Sequence, residues 1–346
     1  MSRLCRRIVL ERRPVGAPKP ADFRLAEYEV PPLREGEIAV ANLLLSMDPA
    51  IRGFLSEAKS YMPPVALGEA VRGMSLGRVL DSRNPAFPAG AYMRALAAWE
   101  EISVLNSSAV GLEIVRPAPD IPLEYYLGAL GPAGLTAWIG LHEIGQIRSG
   151  ECVVISAAAG AVGSVAGQIA ALRGCRVIGI VGSAAKAQRI RELGFQAVID
   201  YRSSPDLAKS LGQACPEGVD VYFDNVGGAT LEALLPAMRV HGRVIVCGMV
   251  ADYNHQEAPY PVRTLWQLVV KRLTLRGFLT YEHAERIPEA QAELDAWVRS
   301  GALRALDNFH DGIESAPAAF IALMSGATVG KTLVRLDADH SLRRAD

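Results

Sequence analysis

The pattern of hydrophobic positions changes near the middle of the chain. Between about residues 8 and 119, short runs of alternating apolar and polar residues are interrupted by Pro and Gly, as at 37–45, 77–81 and 99–105. Such runs are typical of short, half-buried strands. From about residue 130 onward, continuous apolar runs alternate with segments of helical periodicity, which is typical of a parallel sheet covered on both faces.

The second pattern predicts parallel strands joined by helices. Helical periodicity opens at 130–145 and recurs between the strands and at 289–299. The predicted strands are 152–156, 176–181, 197–200, 219–224, 243–247 and 273–279. A last helix at 316–324 and a strand at 331–336 look separate from this unit, and we expect them to return to the first domain. Because 346 residues exceed a comfortable single core, two domains are predicted.

Composition and charge exclude several classes of protein. The formal net charge of −1 provides no concentrated basic face, so no nucleic-acid partner is expected. The longest apolar stretches, 152–159 and 165–172, are too short to span a bilayer, so no membrane partner is expected. The first residues lack the apolar core of a signal peptide. Five scattered cysteines without a CxxC pair favour a reducing compartment, and a cytoplasmic location is predicted.

The sharpest motif is a glycine turn after the first predicted parallel strand. Its candidate cofactor-binding residues are Ala158, Gly160, Ala161, Val162 and Gly163. Ala158 stands where the GxGxxG pattern has its first Gly, but the turn follows an apolar strand and opens a helix, which is the required context. Gly160 would let the backbone approach a pyrophosphate, and Gly163 would allow close packing of the helix. The helix N-terminus would offer N–H groups to phosphates. A glycine turn without a ligand is the alternative.

The end of the next strand indicates which dinucleotide binds. An NAD enzyme is expected to have a carboxylate here, yet no Asp or Glu occurs between Cys152 and Glu192. Gly182 and Ser183 end the strand instead, and Lys186 follows them. These donors suit a 2′-phosphate, so NADPH is the predicted cofactor. A solvated helix lysine is the alternative for Lys186.

Further strand ends are expected to meet at the same edge of the sheet. Asn225 follows one strand, and Cys247 and Gly248 follow another, so that their backbone groups would face the nicotinamide ribose and amide. Tyr201 follows the short strand at 197–200. It would stack on adenine or reach the 2′-phosphate, with a surface tyrosine as the alternative.

As a set, these residues resemble the medium-chain dehydrogenase/reductase superfamily. Within it they are similar to the zinc-independent leukotriene B4 dehydrogenase/prostaglandin reductase group of NADP-dependent alkenal/one reductases. The resemblance covers nearly the whole chain. The residues that carry it are Ser46-Met47-Asp48-Pro49, Arg52-Gly53, Gly134-Leu135-Thr136-Ala137, the turn at 158–163, Gly182-Ser183, Lys186, Phe223-Asp224-Asn225-Val226-Gly227-Gly228 and Gly330-Lys331.

The resemblance implies an α/β architecture with two parts. A GroES-like β-rich domain would comprise residues 1–128 and 305–346, and a Rossmann domain with a doubly wound parallel sheet would be inserted at 129–304. The resemblance also implies homodimers formed by pairing of sheet edges. The implied reaction is reduction of the C=C bond of α,β-unsaturated aldehydes and ketones with NADPH.

The resemblance adds two cofactor candidates and shows three departures. Thr136 belongs to a shared motif, and Thr328 occupies the position of an Asn that contacts cofactor in relatives. The group also supports Lys186, Tyr201 and Ser183 for the adenosine phosphate. The departures are Ala50-Ile51 in place of Tyr-Met, Trp138 in place of Tyr and Thr328 in place of Asn. They leave the cofactor prediction intact and the substrate open.

The chain lacks the metal ligands of zinc-dependent relatives. No Cys or His stands at 46–48 or 67–69, so no bound metal is predicted. Without a Lewis acid, alcohol oxidation loses its means of activating oxygen, whereas an enone needs only a hydrogen bond to its carbonyl oxygen. Tyr253 is the candidate catalytic donor of that bond, with the nicotinamide ribose hydroxyl as the alternative.

Other functions are left open or excluded. A quinone reductase of the same fold would share every cofactor residue, and a non-catalytic NADPH-binding protein would share them as well. The predicted small-molecule substrate is therefore an enone or, alternatively, a quinone. No tyrosine is followed by Lys four residues later, which excludes the short-chain dehydrogenase pattern.

Overall fold

The region of alternating residues forms antiparallel strands, and the region of continuous apolar runs forms parallel ones. The computed structural model describes residues 4–58, 60–204, 206–254 and 258–337. Contacts divide the chain into a first unit, which extends to Leu127 and resumes at Asp307, and a second unit, Gly128–Leu306. The predicted limits of the first domain, 128 and 305, differ from these bounds by one and two residues.

The elements follow one another in the order that the hydrophobic pattern predicts. In chain order they are β1 (Leu4–Leu10), β2 (Phe23–Glu29), β3 (Glu37–Met47), α1 (Ile51–Phe54), β4 (Arg72–Ser82), β5 (Tyr92–Ala98), β6 (Ile102–Asn106), β7 (Glu113–Val115), α2 (Pro132–Ile139), β8 (Cys152–Ile155), α3 (Ala161–Leu172), β9 (Arg176–Val181), α4 (Ala184–Arg191), β10 (Ala197–Asp200), α5 (Leu207–Ala214), β11 (Val219–Asp224), α6 (Gly228–Ala237), β12 (Met238–Val246), α7 (Gln267–Lys271), β13 (Thr274–Gly277), α8 (Ile287–Arg299), β14 (Asp307–Asp311), α9 (Ala316–Met324) and β15 (Lys331–Arg335).

The first unit is built on a mainly antiparallel sheet. Within the described residues the sheet has the order β14-β15-β3-β4-β5-β7, β6 also pairs with β3, and β1 and β2 form a separate pair. Its core centres on Trp99, whose ring lies 5.7 Å from Phe320 and 5.8 Å from Phe23. Because β14, α9 and β15 complete this sheet and core, the C-terminal segment belongs to the first unit, as expected.

The second unit is built on a parallel sheet. Within the described residues its order is β10-β9-β8-β11-β12-β13, and each neighbouring pair is parallel. Val153, Val154 and Ile155 of the central strand β8 are fully buried, as expected for a strand covered on both faces. The predicted α/β fold class, with a β-rich part and a doubly wound parallel part, is confirmed.

The strand order places a switch point beside β8. The chain runs from β8 to β9 and β10 on one side, and then returns to place β11, β12 and β13 on the other. In such sheets, ligands bind outside the carboxyl ends of the strands where the order reverses. We therefore expect a ligand-binding site at the carboxyl ends of β8 and β11.

Two predicted elements differ from the observed ones. The helix predicted at 130–145 is α2 followed by a wider π turn at Gly140–Ile144. A Cβ on Gly140 would lie 2.6 Å from the Phe223 ring, so this segment packs unusually close to β11. Strand β12 begins at Met238 rather than at the predicted Arg243. The prediction began too late because the first residues of the strand include exposed polar ones, which interrupt the apolar run.

Candidate dinucleotide-binding site

The glycine turn after β8 is tightly folded. Ala157 adopts φ +46°, a left-handed conformation that side chains other than glycine rarely adopt. The N–H of Gly160 donates to the carbonyl of Ala157 at 2.9 Å, and the N–H of Ala158 donates to Ile180 on β9 at 3.1 Å. The turn is therefore fixed to both β8 and β9 by its own backbone.

Helix α3 begins directly after this turn with its N-terminus uncapped by any side chain. Gly160 is the residue before the first turn, and Ala161 and Val162 open the helix. The first N–H groups of a helix have no carbonyl partner within it, and they carry the positive end of the helix dipole. A Cβ on Gly163 would lie 2.4 Å from the Ala157 carbonyl oxygen, so only glycine allows the helix to approach the turn this closely. This cradle fits a pyrophosphate.

The end of β9 is close to the end of β10. Ser183 caps α4, because its hydroxyl accepts from the N–H of Lys186 at 3.3 Å. A Cβ on Gly182 would lie 2.9 Å from the Tyr201 hydroxyl, so the two strand ends touch there. The Tyr201 side chain is half exposed and available to a ligand.

Arg202 is a second cation at this place, and sequence reasoning missed it. Its guanidinium carbon lies 5.9 Å from the centre of the Tyr201 ring. Burial, and then the charge of Arg202, lower the pKa of the half-buried Lys186. Two like charges this near each other favour an anion between or beside them. A 2′-phosphate fits the pair, and the position of Arg202 directly after Tyr201 was the available signal.

The ends of β11 and β12 meet on the other side of β8. The Asn225 side-chain amide donates to the carbonyl of Ser156 at 2.8 Å. The N–H groups of Cys247 and Gly248 both donate to the Asp224 carbonyl, at 2.8 and 3.1 Å. These two N–H groups are therefore bonded within the protein, and the contact of residues 247 and 248 with the cofactor stays a prediction.

Tyr253 lies in the loop after β12. Its hydroxyl oxygen accepts from the N–H of Met249 at 3.5 Å, which places the phenol beside the carboxyl end of β12. Burial is the main cause that raises the pKa of Tyr253. A tyrosine phenol carries its proton at neutral pH even at its ordinary pKa, so Tyr253 is able to donate a hydrogen bond.

The two threonine candidates occupy different units. Thr136 lies on α2 in the second unit, where its hydroxyl is 2.7 Å from the Pro132 carbonyl and 3.1 Å from the Thr280 hydroxyl. Thr328 lies in the first unit, between α9 and β15, whereas every other candidate lies in the second. Contact of either threonine with a cofactor stays a prediction.

The Trp138 departure is a packing difference within the second unit. The indole is buried, and its N–H donates to the Glu293 carboxylate on α8 at 2.7 Å. The ring stacks on His142 with centroids 4.3 Å apart. Burial is the main cause that lowers the pKa of His142, so the stacked imidazole is held neutral. Trp138 therefore joins α2 to α8.

Within the residues that the structure describes, no group of three or more His, Cys, Asp or Glu side chains is placed to hold a metal ion. None of the helices in those residues has the length and apolar character needed to cross a membrane. The absence of a bound metal stays a prediction.

A cationic strand end, a glycine turn and an open helix N-terminus on a doubly wound sheet define a dinucleotide-binding α/β protein. Residues 6–113 match a family model described as "N-terminal domain of oxidoreductase", and residues 161–296 match one described as "Zinc-binding dehydrogenase". The second description belongs to the model and says nothing of metal in this chain.

Similar proteins match over nearly their whole length. The NADPH-dependent curcumin reductase of Escherichia coli (strain K12) is 38% identical, over 96% of this chain and 97% of that protein. The 2-alkenal reductase (NADP(+)-dependent) of Nicotiana tabacum is 34% identical, over 95% and 96%. The crystal structure of CurA from Vibrio vulnificus in complex with NADPH has a TM-score of 0.90 and 36% identity, covering 96% of this chain and 99% of that one. The chain therefore belongs to the medium-chain dehydrogenase/reductase family, in the zinc-independent group similar to these reductases.

The close approach at Gly163 makes a testable prediction. Gly163→Ala should destabilise the protein by roughly 1–3 kcal/mol, because the new methyl group would overlap the Ala157 carbonyl. Gly212→Ala is the matched control, since Gly212 lies in α5 with no atom within 4 Å of its Cβ position. That change should stabilise by about 0.5–1 kcal/mol. Urea unfolding would compare the two variants, and equal effects of the same sign would contradict the prediction.

Proposed function

We propose that this protein uses NADPH to reduce the C=C bond of α,β-unsaturated aldehydes and ketones, without a metal ion. The observation that carries the proposal is the acid-free end of β9, where an NAD enzyme would place a carboxylate and where Lys186 lies close enough to Arg202 for their charges to interact. The choice of reaction is supported by the relatives named as curcumin reductase and 2-alkenal reductase, which match the chain from end to end.

The cofactor would be held by two separate parts of the site. The N–H groups at the start of α3, beside Gly160, would bind the pyrophosphate. Lys186, Arg202 and the Ser183 hydroxyl would bind the 2′-phosphate, and Tyr201 would pack on the adenosine. When bound, NADPH supplies the hydride that the substrate accepts at Cβ.

Tyr253 is proposed to donate a hydrogen bond to the carbonyl oxygen of the substrate. Negative charge builds on that oxygen when Cβ is reduced, and a donor already in place stabilises it. The raised pKa of Tyr253 keeps the donor proton available at neutral pH. Asn225, tied to Ser156, would lie on the nicotinamide side.

The experiment that tests this function compares three classes of acceptor. NADPH oxidation would be followed with a 2-alkenal, a larger lipid-like enone and a 1,4-quinone under identical conditions. We expect turnover of the alkenal and the enone, with formation of the saturated carbonyl compound identified by mass spectrometry. Turnover of the quinone alone would favour quinone reduction, and NADPH binding without oxidation across the panel would favour a non-catalytic binding protein.

Cofactor choice provides a second prediction. Lys186→Ala should raise the KM for NADPH by about 10- to 100-fold, because a hydrogen bond to a charged group is lost. The KM for NADH should change little, since NADH lacks the 2′-phosphate. Lys209→Ala on the exposed face of α5 is the matched control and should leave both values unchanged. An equal loss for both cofactors would indicate a structural role for Lys186.

We also propose that the protein forms a homodimer through the β13 edge of the second unit. This edge strand is exposed throughout and includes the exposed Leu275. The segment that precedes it, at and just before α7, has four more exposed apolar side chains, Leu265, Trp266, Val269 and Val270. An apolar, unpaired edge is a surface that pairing with a second copy would cover.

The dimer is tested by sedimentation. We expect the wild type to sediment as a dimer and Leu275→Lys to sediment largely as a monomer, because the lysine would place a charge in the paired edge. Leu172→Lys changes an equally exposed leucine on α3 and should have no effect on the mass. A wild-type protein that sediments as a monomer at every concentration would contradict the proposal.

A cytoplasmic location is proposed from the thiol chemistry. None of the five cysteines forms a disulfide, and four of them are buried. A reducing compartment is where such thiols persist. Recovery of the protein from a secreted or periplasmic fraction of its host would contradict this location.

A further inference from the structure

One buried carboxylate joins the strand ends at the switch point. Asp224 is fully buried at the end of β11. Its Oδ1 accepts four hydrogen bonds, from the Tyr222 hydroxyl at 2.7 Å, from the N–H groups of Val226 and Gly227 at 2.9 Å each, and from the Ser156 hydroxyl at 3.1 Å. The other oxygen, Oδ2, has no hydrogen-bond partner among the described residues.

Ser156 connects this carboxylate to the glycine turn. The residue is fully buried directly after β8, immediately before the turn that leads to α3. Its hydroxyl donates to Asp224 and accepts from the N–H of Asn225 at 2.9 Å. Its carbonyl accepts from the Asn225 side-chain amide at 2.8 Å. The turn proposed to hold the pyrophosphate and the residue proposed to lie beside the nicotinamide are thus joined through one serine.

The same segment also holds the loop that carries Tyr253. The Asp224 carbonyl accepts from the N–H groups of Cys247 and Gly248 at the start of that loop. Farther along, the N–H of Ala251 donates to the Val226 carbonyl at 3.0 Å. The ends of β8, β11 and β12 therefore meet at Asp224.

We propose that Asp224 and Ser156 are positioning residues for the nicotinamide half of the dinucleotide, because together they fix Asn225 and the Tyr253 loop relative to the glycine turn. This inference rests on the proposed function. Neither side chain needs to touch the cofactor, since the pair acts through the backbone of the two turns. Burial is the main cause that raises the pKa of Asp224, and the four donors at Oδ1 oppose that rise. The arrangement is thus sensitive to loss of any donor.

Binding of a cofactor fragment tests the proposal without relying on turnover. Adenosine 2′,5′-bisphosphate contains the adenosine and 2′-phosphate but lacks the nicotinamide half. Ser156→Ala should leave the Kd of this fragment unchanged and raise the Kd of NADPH about threefold or more, since the hydroxyl's hydrogen bonds to Asp224 and from the Asn225 N–H are lost. Lys186→Ala should instead weaken both ligands. Equal effects of Ser156→Ala on fragment and NADPH, or no effect on either, would overturn the proposal.

Kinetics give a second readout. With an accepted enone, Ser156→Ala and Asp224→Asn should each lower kcat by about tenfold or more, because small misplacement of reactants is costly. Their KM for NADPH should rise by a smaller factor, about threefold, in line with the expected change in Kd. The double variant should be no worse than the poorer single variant, because the two residues act as one unit. Independent, multiplicative losses would overturn the pairing.

Ser164→Ala is the matched control for folding. Ser164 is also a buried serine close to the turn, but its hydroxyl lies near the Ala161 carbonyl at 3.5 Å, within α3. It should retain wild-type kcat and fragment binding. A fall in melting temperature alone, with unchanged kcat and NADPH affinity, would assign Ser156 and Asp224 a purely structural role. If the wild type turns over no acceptor, the proposed function fails, while the comparison of fragment and NADPH affinities still tests the positioning role of Ser156.

Discussion

Where the parallel strands of the second unit end, their backbone N–H and carbonyl groups lose the ladder partners that satisfy them inside the sheet. Buried polar groups without partners are costly, so each strand end needs a substitute. At β8 the substitute is a turn that bonds to itself and to Ile180 on β9. At β11 the substitute is the Asp224 carboxylate. It accepts from the N–H groups of Val226 and Gly227, which lie two and three residues further along the chain. The N–H groups at the start of α3 are left facing outward, which is why an anion suits that place.

The positive charge at the end of β9 follows from the absence of an acidic residue there. No acid occurs between β8 and α4, and the charge of Arg202 adds to that of the half-buried Lys186. Such a site favours NADPH over NADH, because two cations are stabilised more by the 2′-phosphate dianion than by an uncharged ribose hydroxyl. The preference for NADPH thus depends on the charges at one strand end, whereas the pyrophosphate-binding turn would serve NADPH and NADH equally.

Much of the fold could be predicted because both faces of the parallel sheet are buried. Strands β9, β10 and β11 coincide with their apolar runs, since most residues of a strand covered on both faces are apolar. Strand β12 begins earlier than predicted because its first residues are exposed, as at Arg239 and His241, and carry no apolar signal. The helix after residue 130 was predicted without its π turn, which depends on the approach of Gly140 to Phe223.

The site was predictable only where chemistry is local in sequence. The glycine turn and Lys186 lie in sequence contexts that indicate their proposed roles, whereas the signal for Arg202 was only its position directly after Tyr201. The bond between Ser156 and Asp224 joins positions 68 residues apart, and no spacing rule indicates it. The same holds for Tyr253, whose loop is fixed by a bond from Ala251 to Val226. The proposed proton donor and the proposed nicotinamide-side turn are therefore one hydrogen-bonded backbone unit. Changes in loop 249–254 should then alter orientation and proton donation together, and substrate differences among relatives would arise from residues that face this unit rather than from the unit itself.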